Sequence, residues 1–556
     1  MAFQKINDSD TLVDWKNKFN NNVDETIDLK NRLDILEAGG TTDGELIALR
    51  SSTTLGFTGA TADERVEYAE QKILDNESRI TALENKDLKI LNVRDFGAKG
   101  DGVTDDAAAI QAALDAANAA GGAEVYVPDG VYPIKSSLLI YNYTRLRLSP
   151  RATIIRASTG VRSGMLKPGI GDVDGYDGVH DVEIVGGIWD CNARQFPDPL
   201  TGITFAHARN IIIRDATFLD VYNYHCIELN STQNGLVLNC LFKGFSGTRK
   251  SEAVQLDHMK SSSNFASFGN YDNTPCDNIL IAGCTFEDWS RGIGNHSATK
   301  DIFHTNIRII GNHFRNLTGQ AIRAYQWKYV SIIGNTFDNC EIGIEIRPGT
   351  GSDASDNGYA TIKGNVIKNI HGVDGHGIWL NGDPGVYIIN AVVSDNVIYN
   401  TAVNGIYLSY VRNCVVANNN IRKTGNQGIS LFDASYCMIQ GNHVMHAQFH
   451  GIILNTTTHS VVHGNICQDN QQVGPDAPSA NIRLIRAETN YNNIQGNICR
   501  AGSFTDYGIR IDSDCTGNLV TNNDLYNGGK ISNLRNDSGS TVTTAGRSEE
   551  HTSELQ

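Results

Sequence analysis

Charged and aromatic residues occupy two positions of a four-residue strand pattern that recurs between residues 227 and 381. Each copy begins with Ile or Val, and strand side chains alternate between faces, so the second and fourth residues face outward when the first faces inward. The second positions form one predicted column, Glu228, Gln255, Gly294, Arg323, Glu345 and Trp379. The fourth positions form its neighbour, Asn230, Asp257, His296, Tyr325, Arg347 and Asn381.

Asp257 and Glu228 are the predicted acid/base carboxylates of this surface. If successive coils lie about 4.8 Å apart, one coil plus two residues of offset separates their backbone sites by roughly 8 Å. That distance is compatible with glycoside hydrolysis but does not choose between a retaining and an inverting enzyme. His296, one coil after Asp257, is within predicted reach of a hydrogen bond and would orient groups or relay protons. Glu252 begins the same strand as Asp257 and is a further candidate acid/base residue.

Cations and aromatic rings on the same columns indicate substrate binding. Arg323 and Arg347 would neutralise an acidic sugar or a phosphate, which favours a lyase mechanism as an alternative to hydrolysis. Glu345 beside Arg323 is equally explained as part of a structural ion-pair ladder. An eighteen-residue stretch, 258–275, follows Asp257, and long loops on a rigid scaffold often carry binding groups. The predicted substrate-binding residues are Arg323, Tyr325, Glu345, Arg347, Trp379, Tyr271 and His225.

The elements that must position these residues form a repeat. One strand type recurs with an Asn near its start and a Phe near its end, as in Asn210 to Phe218 and Asn278 to Phe286, and the shortest interval is 23 residues. A second strand type often opens with Gly-Ile, as at Gly405-Ile406. A period of 20–30 residues with short strands indicates a solenoid in which each coil packs only on its neighbours. At least ten coils are predicted between Val182 and Leu525.

Composition and charge argue against several classes of function. The chain has 556 residues, a formal net charge of −16, 55 Gly and only 11 Pro. Electrostatic binding to nucleic acid is disfavoured because phosphate contacts need clustered Lys and Arg, and no apolar run is long enough for membrane insertion. The N-terminus lacks the apolar stretch of a signal peptide. The 11 Cys show no CxxC pair and are predicted to be buried free thiols.

The segment after residue 91 carries a family resemblance. Its residues Asp95-Phe96-Gly97-Ala98-Lys99-Gly100-Asp101-Gly102, Gly121-Gly122 and Tyr126-Val127-Pro128-Asp129-Gly130 look like the opening of the pectate-lyase-like superfamily. The resemblance implies an all-β fold, a right-handed parallel β-helix whose first helix, here from Asp105 to about Asn118, caps the coil. Gly375-His376-Gly377 is similar to a polygalacturonase motif, but the paired-aspartate and Arg-x-Lys motifs are not seen, so we interpret it as a turn.

The predicted domain boundaries follow the same signals. Residues 1–90 form a helical stem whose apolar spacing from Val66 to Leu83 predicts a short coiled coil for oligomerisation. Residues 91–181 hold the opening segment, capping helix and first coils, 182–530 the solenoid, and 531–546 a C-terminal remnant. Residues 547–556 resemble a translated sequencing adapter and are excluded from fold reasoning.

The order of stem, coiled coil and β-helix resembles bacteriophage tail spikes. The resemblance implies a virion-borne homotrimer, joined to phage tail or baseplate proteins by its stem. It would act at the host cell exterior as a depolymerase of surface polysaccharide or of a teichoic-acid-type polymer, the latter as a phosphodiesterase. The alternative is a non-catalytic receptor-binding fibre or adhesin. The sequence requires no cofactor, and calcium, common in related lyases, and histidine-based metal sites stay open.

Overall fold

The computed structural model describes residues 89–543 except 162, 263–268, 475–478 and 539. This part of the chain is a parallel β-solenoid of about 14 turns, which confirms the predicted fold class. The predicted stem and coiled coil, up to residue 88, and the proposed adapter lie outside the described residues.

Each turn of the solenoid contributes strands to three parallel ladders, A, B and C. Ladder A contains Ile90–Asn92, Ala123–Val127, Thr144–Leu148, His180–Val185, Arg209–Arg214, Gln233–Leu238, Asp277–Ala282, His304–Ile310, Trp327–Ile333, Asn357–Lys363, Ile388–Ile389, Val392–Ser394, Val415–Ala417, Met438–Gln440, Val461–His463, Asn493–Gln495, Leu519–Thr521 and Thr541–Thr543. Ladder B contains Gly130–Ile134, Ala152–Arg156, Ile188–Asp190, Thr217–Tyr222, Leu241–Ser246, Thr285–Trp289, His313–Tyr325, Thr336–Arg347, Val366–Ile370, Val397–Thr401, Asn420–Thr424, His443–Met445, Ile466–Gln468 and Ile498–Arg500.

Ladder C carries the four-residue pattern, and two long strands, His313–Tyr325 and Thr336–Arg347, run through both B and C. Its strands are Leu138–Ile140, Leu166–Pro168, Ile203–Ala206, Ile227–Asn230, Glu252–Asp257, Arg291–Gly294, His313–Tyr325, Thr336–Arg347, Ile378–Asn381, Ile406–Arg412, Ile429–Ser435, Ile452–Thr458, Ala480–Ile485, Tyr507–Ile511 and Ser532–Asn536. The observed register matches the predicted one, because the inward residues pair as Ile227, Val254, Ile293, Ile322, Ile344 and Ile378. The predicted second-position column is therefore present, and in the fourth-position column Asn230 pairs with Asp257 and Tyr325 with Arg347.

A helix, α1 (Ala107–Ala119), covers the first coil, as the resemblance implied. Its Ile110 and Leu114 are fully buried in the same core as the strands. Gln111 also hydrogen-bonds both the amide and the carbonyl of Leu139, at 2.7 and 3.2 Å, on the first strand of ladder C. The helix thus pairs a sheet edge that would otherwise be open. Two short 3-10 helices, Val93–Phe96 and Gly351–Asp353, complete the helical content of the described residues.

The core is built from identical residues stacked in successive coils. Phenylalanine rings stack at centroid distances of 4.7–5.2 Å along ladder B, in the order Phe218, Phe242, Phe286, Phe314 and Phe337. All 11 cysteines are free and buried, which confirms the prediction from their apolar surroundings. None of the helices in the described ranges combines the length and apolar composition of a transmembrane segment.

Asparagines have two roles at the turns. The sequence indicates Asn as a recurring turn residue, but it does not predict the buried Asn stack. Several adopt left-handed backbone, such as Asn418 with φ of 55°, as short polar side chains tolerate. Other asparagines are buried and stack inside the solenoid, each directly after a left-handed residue that is Gly in most coils and Asn418 in one. Within this stack the side chain of Asn419 donates to the Val393 carbonyl and to Asn442 Oδ1, both at 2.9 Å. It also accepts from the backbone and side-chain amides of Asn396. The buried members are Asn312, Asn335, Asn365, Asn396, Asn419, Asn442, Asn465 and Asn497.

Replacing one ladder asparagine will destabilise the solenoid. Asn419→Ala removes four side-chain hydrogen bonds and leaves buried amide and carbonyl groups unpaired, so we expect a loss of ~3 kcal/mol in the free energy of unfolding. Urea unfolding monitored by circular dichroism measures it. The exposed neighbour Asn420 supplies the control, because Asn420→Ala should change stability by less than ~0.5 kcal/mol. Equal effects at the two positions would contradict the ladder's role.

Candidate functional site

Ionisable residues are buried together on ladder C and the turns beside it. Glu252 and Asp257 have no exposed surface, and His225 and Glu228 are 4% and 5% exposed. Burying a charged side chain is unfavourable unless partners compensate it. The partners of these residues therefore reveal what the cluster can do.

Glu252 is the centre of the cluster. Its Oε2 lies 3.5 Å from Nδ1 of His296 and 3.8 Å from Nδ1 of His225, and its Oε1 accepts a hydrogen bond from Arg291 Nη1 at 3.3 Å. Arg323 Nη1 lies 3.9 Å from the same Oε1. Burial alone would raise the pKa of Glu252, but the bond to His296 and the surrounding positive charges hold it well below its usual range. Glu252 is thus an ionised carboxylate beneath the surface.

His296 is the member of the cluster that reaches solvent, with 45% of its side chain exposed. Its two ring nitrogens face two carboxylates, since Nε2 lies 3.9 Å from Asp257 Oδ2. Although desolvation opposes the charge, Glu252 and Asp257 raise the pKa of His296 to about 9. The predicted Asp257–His296 hydrogen bond is therefore an ion pair, and Glu252 is the closer partner.

Glu228 lies in a different environment, on the preceding strand. Its carboxyl accepts hydrogen bonds from the hydroxyls of Thr201 at 3.0 Å and Thr204 at 3.4 Å. Desolvation is the largest influence and raises the pKa of Glu228 to about 7, against the opposing hydrogen bonds and the charge of His296. Two carboxyls on neighbouring strands thus titrate in different ranges, which is how acid and base roles are divided in many enzymes.

His225 contacts both Glu252 and His296. Its Nδ1 donates to the backbone carbonyl of Glu252 at 2.7 Å, and its ring stacks on that of His296 with centroids 5.9 Å apart. Burial lowers the pKa of His225 to about 4, so the imidazole is neutral at physiological pH. This histidine supports Glu252 and His296 from beneath.

Arg323, Tyr325 and Arg347 lie further along ladder C. The Tyr325 ring has the Arg323 guanidinium over it at 3.9 Å and that of Arg347 at 4.8 Å. Arg323 also donates to the Tyr325 hydroxyl. Guanidinium groups held by stacking are suited to recognition of carboxylate or phosphate. This arrangement fits the predicted binding of an anionic group.

Glu345 and Trp379 belong to structural contacts that extend away from the cluster. Glu345 accepts from Gln320 at 2.9 Å and Asn381 at 2.8 Å, and its ion pair is with Arg347 at 3.6 Å, although Arg323 is its register partner. Trp379 stacks on Tyr407 with centroids 5.8 Å apart. Because these two rings face each other, each covers a face that would otherwise contact a sugar.

Loops from several coils form a wall beside the cluster. Lys260 bonds the Ala298 carbonyl and pairs with Asp353 at 2.8 Å, while Asp301 bonds Ser355 at 2.9 Å. The wall thus joins the described residues of the stretches 258–276, 295–303 and 348–356. Tyr271, 37% exposed, lies on the first of these stretches.

The structure brings together Glu228, Glu252, Asp257, His296 and His225, all candidates from the sequence. It places Arg323, Tyr325 and Arg347 next to them, and Glu345, Trp379 and Tyr271 at the margins. Arg291, Thr201 and Thr204 were missed. Arg291 is the register partner of Glu252, so extending the strand alignment two residues backward would have found it. Thr201 precedes its strand, and no spacing rule reaches it.

Among the described residues, two groups of three His, Asp or Glu side chains have their possible metal-ligand atoms within 4.8 Å of one another. They are His225, Glu252 and His296, and Asp257, His258 and His304. Each combines two imidazoles with one carboxylate, a set suited to transition metals, whereas Ca²⁺ prefers all-oxygen sites. Calcium binding stays a prediction.

Two family models match the chain, one after the other along the sequence. The family model "Rhamnogalacturonase A/epimerase, pectate lyase-like" matches residues 90–345, which include the whole cluster, and the model "Right handed beta helix region" matches 353–525.

Curated relatives include adhesins as well as enzymes. "Plasmin and fibronectin-binding protein A" of Streptococcus pneumoniae is 30% identical over 319 residues, 51% of this chain and 44% of that protein. "Alginate lyase 7" of Azotobacter vinelandii is 47% identical over 87 residues, 16% of this chain and 9% of that protein. The chain thus spans less than half the length of these relatives.

Two solved structures share the fold. The surface adhesin PfbA of Streptococcus pneumoniae superposes with a TM-score of 0.53 at 23% identity, covering 72% of this chain and 93% of that one. A tailspike protein mutant of the E. coli bacteriophage HK620, in complex with a pentasaccharide, gives 0.54 at 14% identity, covering 82% and 80%. The described part of the chain is therefore a right-handed parallel β-helix, and its residues 90–345 are similar to the pectate-lyase-like family model.

Proposed function

We propose that ladder C is the catalytic surface of an enzyme that cleaves a bacterial surface polysaccharide, with Glu228 as the proton acceptor and His296 as the proton donor. The observation that carries the proposal is that both groups have raised pKa values, about 7 for Glu228 and about 9 for His296. Between those values the carboxylate is free to accept a proton while the imidazolium holds one to donate.

In this mechanism Glu228 is the general base and His296 the general acid. Glu228 removes a proton from water in hydrolysis, or from a sugar carbon in elimination, and His296 protonates the departing glycosidic oxygen. Glu252 stays ionised, and Glu252 and Asp257 together raise the pKa of His296, which keeps the imidazole in its charged form. This differs from the sequence-based assignment of Asp257 as an acid/base group, because Asp257 is covered and His296 is exposed.

Arg323 and Arg347 point to an anionic polymer. A uronic acid or a phosphate would gain charge-assisted hydrogen bonds from either guanidinium. Tyr325 fixes both arginines by stacking, so they are oriented before the polymer binds. A capsular polysaccharide with acidic sugars fits this surface, and a teichoic-acid-type polymer, cleaved as a phosphodiester, is the variant for a Gram-positive host.

We extend the proposal to a phage tail spike. The predicted stem and coiled coil of residues 1–90 support a trimeric protein attached to tail or baseplate proteins, and the β-helix fold supports action on a polymer at the host cell exterior. The protein would then be part of the virion. Sedimentation of the full chain, with a trimer as the expected species, examines this part separately.

The second candidate function is an adhesin without catalysis. The match to the plasmin- and fibronectin-binding protein of Streptococcus pneumoniae over 51% of this chain favours it. In that case ladder C binds a host or bacterial surface and the cluster is structural.

Binding and cleavage distinguish the two candidates. Purified protein is incubated with a panel of capsular polysaccharides, teichoic acids, plasmin and fibronectin, and both retention and soluble product are measured. Release of oligosaccharides from an anionic polymer is expected. Tight binding to plasmin or fibronectin, with no fragment from any polymer that the protein binds, would favour the adhesin.

A further inference from the structure

A nitrogen and an oxygen with facing lone pairs lie close together behind the cluster. Nδ1 of His258 is 3.5 Å from Oδ1 of Asp257, and among the hydrogen bonds of the described residues none joins these two atoms. Both residues are buried, with exposures of 1% and 0%. Oδ1 of Asp257 also accepts a hydrogen bond from the backbone amide of His258 at 3.1 Å, which leaves its second lone pair for a proton donor or a cation.

The neighbours of His258 fix which ring nitrogen carries the proton. Nε2 of His258 lies 2.9 Å from the Thr299 hydroxyl, and that hydroxyl donates its own proton to Asn273 Oδ1 at 3.2 Å. The hydroxyl can therefore only accept from His258, so Nε2 is protonated and Nδ1 presents a lone pair toward Asp257.

His304 belongs to the same group of possible metal ligands as Asp257 and His258. The position of its ring proton, however, argues against a role as a ligand. Its Nδ1 accepts a hydrogen bond from the backbone amide of Cys276 at 3.0 Å. The neutral ring must then be protonated at Nε2, an atom that is buried without a hydrogen-bond partner in the described structure. His304 is thus a donor, able to bond a carboxylate or a water bound to an ion, as outer residues of metal sites do.

Asn230 supplies the independent indication of a ligand. It is the register partner of Asp257 on the preceding strand and has no exposed surface. Its Oδ1 and Nδ2 both lack a hydrogen-bond partner among the described residues. An unpaired buried amide is costly, and an amide oxygen is a common cation ligand.

We propose that Asp257 Oδ1, His258 Nδ1 and Asn230 Oδ1 bind a divalent first-row transition metal ion. Two ligands about 2 Å from one tetrahedral ion lie about 3.4 Å apart, close to the 3.5 Å between the Asp257 and His258 atoms. The imidazole nitrogen favours Zn²⁺ over Ca²⁺, and the two oxygen ligands also suit Mn²⁺. The ion would fasten the start of the 258–276 stretch to ladder C. This inference goes beyond the proposed function, because it needs no substrate.

Metal content of the full chain tests the site directly. The protein is purified after separate exposure to Zn²⁺, Mn²⁺ and Ca²⁺, dialysed, and analysed by inductively coupled plasma mass spectrometry. We expect about one Zn²⁺ or Mn²⁺ per chain and a lower unfolding temperature after chelation. His258→Gln should lose the ion, whereas His376→Gln should keep it, because His376 is also buried but lies on another coil, where its Nδ1 accepts from the backbone amide of Asn404.

Several results would overturn the proposal. These are a wild-type chain that retains neither Zn²⁺ nor Mn²⁺, one that retains Ca²⁺ alone, or a His258→Gln variant that keeps the ion. If that variant does not fold, X-ray absorption of the metal-loaded wild type identifies the number of imidazole ligands on the ion. One imidazole with oxygen ligands supports the site, and two imidazoles contradict the proton assignment of His304. Because no polymer is used, failure here is distinct from failure of the enzymatic proposal.

Discussion

The Glu228→Gln variant is expected to lose cleavage of the polymer by about 10²- to 10⁴-fold while still binding it. The amide keeps the shape of the carboxyl and its contact with Thr201, but it cannot accept a proton at neutral pH. Initial rates of fragment release, with polymer retention measured in parallel, give the two quantities separately.

Glu287→Gln is the matched control for this experiment. Glu287 lies on ladder B and pairs with Arg315 at 2.7 Å, so the same substitution alters charge away from ladder C. It should leave the cleavage rate within about twofold of the wild type. Wild-type rates in Glu228→Gln would remove Glu228 from the mechanism and with it the proposed division of roles.

The His296→Asn variant is expected to lose at least about 10²-fold in rate and to change the pH profile. In the wild type the rate should rise as Glu228 loses its proton near pH 7 and fall as His296 loses its proton near pH 9. Without His296 the donor is absent and the fall near pH 9 disappears from the residual activity. Rates measured from pH 5 to pH 10 with one polymer test both statements.

Whether the cleavage rate rises or falls through pH 7 distinguishes a general base from a general acid at Glu228. A general base requires activity to increase through pH 7, whereas a general acid requires it to decrease. His313→Asn, at an exposed histidine of ladder B, is the control and should keep both limbs. A wild-type profile that falls through pH 7 would make Glu228 the proton donor, and a fall near pH 9 that persists in His296→Asn would assign that limb to another group.

Much of the fold could be predicted because the solenoid repeats one coil, so the spacing of a few inward residues determines its register. Inward Ile and Val residues recur at nearly constant intervals, and stacking them in register places Glu228, Asp257 and Arg323 on the same outward surface. The buried Asn stack was not predicted. Left-handed and interior asparagines both occur at the turns, as Asn418 and Asn419 do, and composition does not distinguish them.

The candidate site could be predicted only in part. Residues inside strands, such as Asp257, follow the alternation rule, but Glu252 begins its strand directly after a turn. Its central position depends on Arg291 and His296, which other coils supply. The pKa values of Glu228 and His296 likewise depend on burial, which the wall of loops and distant threonines create. Contacts of this kind leave no local pattern in the sequence.

The masses of soluble fragments test the central claim most directly. Wild-type protein and Glu228→Gln are incubated with an anionic surface polymer that both bind, and the supernatants are analysed by mass spectrometry. The account predicts oligosaccharides from the wild type alone, carrying either an added water, as in hydrolysis, or an unsaturated end, as in elimination. Absence of fragments from a polymer that the wild type demonstrably binds would contradict the account and favour an adhesin.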